Sequence, residues 1–253
     1  ERALLSGARR ITGWRQGSRG EWTVRLPEVA SGSWYFRSLW VGGERRSRPR
    51  LPKRGTYTVA GRADPRAEAF RFNPGELDAG WHDLDRVEVV VVQFWTEARL
   101  RIASIDPGGI ARFTGASWRP LDWSKAWYVE NVREALIEAG EWYLDGASGL
   151  LTYLALPGED PNRDEVLAPV AQTLLAVEGT ADRPVEHVEI RDLTMGYTGW
   201  EMPSPHGIAI PQAEIPVAGG VVFAGNLEHG KSLPQAAAPV PAPTFPWATG
   251  PPR

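Results

Sequence analysis

One stretch of this chain gathers side chains suited to handling a sugar. Between Gly196 and Val217 lie Tyr197, Trp200, Glu201, His206 and Gln212. An indole face can stack on the C–H face of a pyranose, and an imidazole or carboxamide can exchange hydrogen bonds with its hydroxyls. These five are read as candidate substrate-binding residues. Each also has a plainer reading, with Trp200 packed between neighbouring units and His206 a solvated loop residue. Glu201 with Glu214, or either with Asp192, is the local carboxylate set that could imitate an acid/base pair. Asp192 suits a turn better, since aspartate readily bonds its own backbone at a corner. His187 falls at outward parity in its strand and is expected to be exposed. Catalytic residues proper are left unassigned.

The second concentration of chemistry is basic. Arg45, Arg46, Arg48, Arg50, Lys53 and Arg54 follow one another within ten positions. They read either as a polyanion site or as a solvated loop balanced by nearby acids, and the overall charge of −3 favours the loop.

Composition limits the alternatives. With 253 residues, 42% hydrophobic and 23% charged, the chain can bury a sizeable core, and the net charge gives no pull toward nucleic acid or an anionic membrane surface. The absence of cysteine excludes disulfides, thiolate nucleophiles and Cys-ligated zinc. Twelve tryptophans are a large share, fitting either sugar stacking or the filling of an irregular β core. No apolar run approaches the roughly 20 residues of a membrane span. The sequence starts without Met or an apolar leader, so any signal peptide is expected to lie outside it. Gly-rich phosphate loops, Gly-x-Ser-x-Gly elbows and His-Glu-x-x-His are missing, which sets aside the corresponding nucleotide enzymes, hydrolases and zincins. No cofactor is expected, and Ca²⁺ is possible without any Asp/Asn spacing that demands it.

The elements that must position these residues read as short strands. Residues 21–26 alternate polar and apolar, 33–41 end at Gly42-Gly43, and 86–95 are too apolar for anything but a central strand, with 100–105 as its partner. Residues 141–154 form a hairpin through a Gly-bearing turn. Asn131 to Ala139 reads as the one helix, with Asn131 as N-cap and Gly140 beyond its end. In 185–195, Val188, Ile190, Leu193 and Met195 are expected to face inward, and 220–227 resemble a further strand of that kind. Beyond about residue 229 the chain turns Ala- and Pro-rich, with no period that could bury a face.

Several of these segments, Ile11-Thr12-Gly13-Trp14, Leu39 to Gly43 with its Arg/Pro loop, Ile102 to Ile105, Glu130 to Leu136, Gly140 to Asp145, Pro157 to Pro161, Asp192 to Met195 and Tyr197 to Trp200, together resemble the front half of pectin-lyase-like right-handed parallel β-helix proteins. The similarity is strongest to the glycoside hydrolases on that scaffold, which act on plant cell-wall sugars such as xylosides and fucosides. It implies an all-β chain: the start of a right-handed parallel β-helix interrupted by an inserted β-sandwich-like domain with one short helix. The divisions it implies are first rungs at 1–50, the insertion at 51–170, resumed rungs at 171–228, and a tail at 229–253 that is disordered or non-native, through a frame change or truncated gene model. It also implies that the Gly196–Val217 loop walls a substrate cleft. Stacked rungs about 4.8 Å apart make a ruler for carboxylate pairs. Adjacent rungs suit the ~5 Å of a retaining glycosidase, and alternate rungs approach the ~9.5 Å end of the inverting range. The catalytic rungs are expected downstream of Trp200 and outside this chain.

The functional expectation is therefore a fragment of a secreted or periplasmic glycoside hydrolase, inactive by itself, whose partner is an oligo- or polysaccharide rather than nucleic acid or a membrane. A non-catalytic carbohydrate-binding β-helix is one alternative. A β-helix polysaccharide lyase or epimerase is another, for which Arg45 to Arg54 is the hint. An open coil end is expected to leave unpaired edges and poor solubility.

Overall fold

The structure is a computed structural model describing residues 3–64, 67–93, 96–117, 120–122, 125–180 and 182–200, with two short strands beyond. The first segment carries β1 (Ala3–Ser6), β2 (Ala8–Arg10), β3 (Arg15–Gln16), β4 (Trp22–Arg25), the four-residue helix α1 (Pro27–Ala30), β5 (Leu39–Val41), β6 (Glu44–Arg46) and β7 (Arg50–Leu51). Next come β8 (Tyr57–Thr58), β9 (Gly61–Arg62), β10 (Ala69–Arg71), β11 (Glu88–Gln93), β12 (Thr96–Asp106), β13 (Ile110–Phe113) and β14 (Ala126–Glu130). The chain closes with β15 (Trp142–Leu144), β16 (Leu150–Tyr153), β17 (Val166–Pro169), β18 (Leu193–Gly196), β19 (Ile208–Ile210) and β20 (Val217–Ala218). The all-β class follows directly.

Two cores form. In the first, the sheets β15-β16-β4-β3 and β2-β17-β5-β6 face each other across Val24, Leu144, Leu151 and Tyr153 on one side and Leu39, Val41, Val166 and Ala168 on the other. Phe36 stacks on Trp142 at 5.4 Å within it. Burying each large apolar side chain contributes about 1.5–3 kcal/mol. In the second, β11 runs between β14 and β12 in a ten-stranded antiparallel sheet. Its run of four valines suits a pleated central strand. Val89 and Val91 join Leu100, Trp127 and Val129 in that core. The central strand, its partner and the 142–153 hairpin are as expected from sequence.

Several expectations give way. Residues 8–46 are antiparallel strands sharing both sheets of the first core with 142–169, rather than a run of first rungs. Of 33–41 only Leu39–Val41 is strand, because the Ser33 and Trp34 amides instead bond the Glu28 carbonyl at the end of α1. The expected helix at 131–139 reduces to a single 3-10 turn, Arg133–Ala135. Asn131 adopts a left-handed φ of 63° and donates to the Arg86 carbonyl. The Glu141 carboxylate takes the Ile137 and Glu138 amides that a helix would have used. Tertiary partners override local propensity here.

Among the described residues parallel pairing forms one ladder, β1 with β18, in one-to-one register from Ala3↔Leu193 to Ser6↔Gly196, and one bridge, Ser47↔Glu141. Leu193 and Met195 in this ribbon, and Val188 (57% exposed) and Ile190 before it, are not inward. Among the described residues β18 has only β1 beside it, so nothing covers them. Residues 220–227 lie outside the described part.

The two cores meet across a buried ionic cluster. The face of the large sheet opposite its core carries Glu88, Arg99 and Glu130. Arg37, from the segment before β5, and Arg48, between β6 and β7, reach across to it. Glu88, 1% exposed, accepts from Arg37 and from Arg48 at 2.9 Å. Glu130 accepts from Arg48 at 2.6 Å and Arg99 at 3.1 Å, and Arg99 also pairs with Glu97 at 2.6 Å. Three guanidiniums thus meet three carboxylates. Burial works against the Glu88 charge, but Arg48 and Arg37 outweigh it and hold the carboxyl well below its usual range. Burial lowers Arg37 to about 10, still protonated at neutral pH.

Three expected outcomes follow from these ion pairs. Glu88→Ala leaves the buried Arg37 guanidinium without its carboxylate and is expected to cost about 3–5 kcal/mol in urea unfolding. Arg54→Ala, removing a partner of Glu138 that is 82% exposed, is expected to cost no more than about 0.5 kcal/mol. Because the native Glu88 value is depressed, its stabilisation is complete above the unfolded value of 4.5 and fades as pH falls through the lowered native value. Thermal melting should therefore hold steady from neutral pH to about 5 and drop steeply below about 4, and the drop should shrink in Glu88→Gln.

Candidate functional site

The basic stretch is not a solvated loop. β6 and the residues after it are stitched to 140–142, where the Trp142 amide donates to the Ser47 carbonyl at 3.0 Å and the Trp142 indole to the Arg46 carbonyl at 3.2 Å. Arg46 pairs with Glu159 and donates to the Tyr153 hydroxyl at 2.9 Å. Burial, together with the hydrogen bond to Glu159, pushes the Tyr153 hydroxyl up, so it stays protonated. Lys53 donates to the buried Glu141 at 2.5 Å and to the Ala135 carbonyl. Acids do balance this stretch, as expected: Arg46 and Lys53 meet theirs in the interior, and Arg54 meets Glu138 at the surface.

These contacts leave a surface cavity of about 320 Å³ between the basic stretch and residues 138–141. Six cationic side chains line it, Arg45, Arg46, Arg48, Arg50, Lys53 and Arg54, against two carboxylates, Glu138 and Glu141. That volume lies at the small end of the range for ligand pockets, about 300–1,000 Å³.

Two of the sequence-assigned residues lie among the described ones. Tyr197, at a left-handed φ of 59°, follows β18 and meets Trp40 edge-on, with ring centroids 5.4 Å apart. Trp200 is 42% exposed and lies against the Arg37 guanidinium, 5.1 Å from its ring centroid. The Gly199 amide holds this turn by donating to the Ala171 carbonyl at 2.8 Å. Trp40 pairs with Arg45 across β5 and β6, so the aromatic corner and the cavity share an edge. Glu201, His206 and Gln212 lie outside the described residues, as does Glu214. Asp192 takes a left-handed φ of 57°, fitting the turn reading, and the His187 side chain is 92% exposed. Trp14, Trp127 and Trp142 are core residues, so the tryptophan count divides between packing and surface.

One further cluster escaped the sequence reading. His82, Asp83 and Asp145 hold one ligand atom each within 4.8 Å of one another. His82 Nε2 lies 3.0 Å from Asp145 Oδ2, and the Tyr143 hydroxyl donates to Asp83 at 3.2 Å. Asp145 also accepts from the Ala147 and Ser148 amides, and thereby fixes the turn between β15 and β16. One nitrogen and two carboxylates would suit a transition metal better than Ca²⁺. Their present bonds make the cluster a clamp between residues 82–83 and the hairpin. Asp145 lies 63 positions from His82, a separation no local pattern reveals.

No protein-family model matches the sequence, and a search of curated proteins finds no match. Among solved structures, one named glycoside hydrolase is similar with a TM-score of 0.70 and 29% identity, over 82% of this chain. The chain spans 38% of that protein's length. The similarity joins the sheets described above to a glycoside hydrolase-like fold.

Proposed function

We propose that this chain is part of an exported β-helix glycoside hydrolase acting on plant or microbial polysaccharide, and that Tyr197 and Trp200, with Trp40, present aromatic surface to the sugar. The observation that carries the reading is the likeness to a glycoside hydrolase over most of this chain. The in-register parallel pairing of β1 with β18 supports a coil, since one rung laid on the next would pair that way. A half-exposed indole beside a guanidinium is suited to the C–H face of a pyranose. Export agrees with a polymer substrate found outside cells.

The catalytic carboxylates are assigned to rungs beyond the described residues. Glu88, Glu130, Glu141 and Glu159 are each committed to an ion pair. The described segment is accordingly given the roles of scaffold and sugar platform. The same commitment favours, as second reading, a module that binds carbohydrate without cleaving it.

Intrinsic tryptophan fluorescence, titrated with neutral xylo- and fuco-oligosaccharides, tests the reading. Saturable binding is expected. Trp200→Ala should weaken it at least about fivefold, roughly 1 kcal/mol, with melting unchanged because the side chain is exposed. Full-strength binding in Trp200→Ala would remove the aromatic corner from the site, and no binding of any neutral or acidic saccharide would contradict the carbohydrate reading.

A further inference from the structure

The cavity beside β6 and β7 has more positive charge than its own structure uses. Four of its six cations have a carboxylate partner: Arg46 with Glu159, Arg48 with Glu88 and Glu130, Lys53 with Glu141, and Arg54 with Glu138. Among the described residues the remaining two are held only by neutral groups. Arg45 donates to the Ser38 hydroxyl at 3.0 Å. Arg50 donates to the Pro52 carbonyl at 3.1 Å and the Gly55 carbonyl at 2.5 Å, and lies 4.1 Å from the centroid of the Tyr128 ring.

We propose that this cavity binds the oxyanion of an acidic saccharide, a carboxylate or a sulfate ester, between Arg45 and Arg50. Resting on the carbohydrate reading above, it names the class of sugar. The partnered cations make a rigid, charge-balanced wall, while the two unpartnered guanidiniums supply a net positive field in a concave site, where field lines concentrate. A guanidinium presents paired N–H donors that match the oxygens of a carboxylate or sulfate. Ala139, Gly140 and Leu156 offer apolar surface for a ring. At about 320 Å³, the cavity has room for one or two sugar units. Arg45 stands opposite Trp40, so a sugar stacked on the aromatic corner would have its next unit's acid group within the cavity.

Calorimetric titration of the whole chain with methyl β-glucuronide, glucose 6-sulfate, methyl β-glucoside and inorganic sulfate separates the outcomes. The acidic sugars are expected to bind at least about tenfold more tightly than the neutral glucoside, with the preference shrinking as salt rises from about 50 mM to about 500 mM. Arg45→Ala/Arg50→Ala should abolish the preference while leaving neutral oligosaccharide binding unchanged. Should the double variant fail to fold, Arg45→Ala alone, which loses a single described hydrogen bond from an exposed residue, should reduce the preference at least about threefold. Equal binding of acidic and neutral sugars, or a preference that survives the double variant, would overturn the proposal while leaving the carbohydrate reading intact. Inorganic sulfate binding as tightly as glucose 6-sulfate would also overturn it, as an anion site without sugar recognition. Acidic preference with no binding of neutral oligosaccharides would support the cavity and count against a neutral polysaccharide as substrate.

Discussion

A glutamate at the middle of a sheet cannot keep its charge unless cations come to it. Glu88 is 1% exposed, and its carboxylate is held ionised by Arg48 and Arg37, both from the segment that builds the other core. Each supplies charge that the large sheet needs, and each would be costly to bury alone. Charge pairing between the two cores is therefore part of what fixes their docking. The same condition orders the rest of the basic stretch: Arg46 and Lys53 are drawn inward to Glu159 and Glu141, while Arg45 and Arg50 are left facing the cavity with neutral partners. The cavity's cationic surplus is what remains once the interior is balanced.

What the sequence disclosed was local. Val89 to Val92 announce a central strand, Leu100 to Ile105 its neighbour, and the Gly-bearing turn at 146–149 the hairpin, since β propensity and turn chemistry act over a few residues. What it hid depends on distant partners. Glu141 competes for the amides of 137–138 and undoes a helix that local pattern supports, and Asn131 serves the Arg86 carbonyl rather than an N-cap. Arg48 meets Glu88 across 40 positions and Glu130 across 82, so a run of arginines gives no sign of being interior. Of the assigned site, Tyr197 meets Trp40 and Trp200 lies against Arg37, and both were legible as aromatic residues beside a turn. The cavity was visible only as its list of charges.

The exposed ribbon completes the physical picture. β1 and β18 pair in parallel, and Leu4 and Met195 stay roughly half exposed. Such a ribbon buries little by itself and gains stability only by stacking, which is how a coil accumulates its core. The first core packs beside the ribbon through the Val170 and Ala171 amides, which both donate to the Gly7 carbonyl. The aromatic corner therefore forms where ribbon and sandwich meet.

Native-state hydrogen exchange tests most directly whether the ionic cluster joins the two cores into one cooperative unit. Amides of β11 in the large sheet and β16 in the sandwich should exchange with the same opening free energy, and Glu88→Gln should lower both together. Protection that falls in β11 while β16 stays unchanged would show two independent cores and contradict the account.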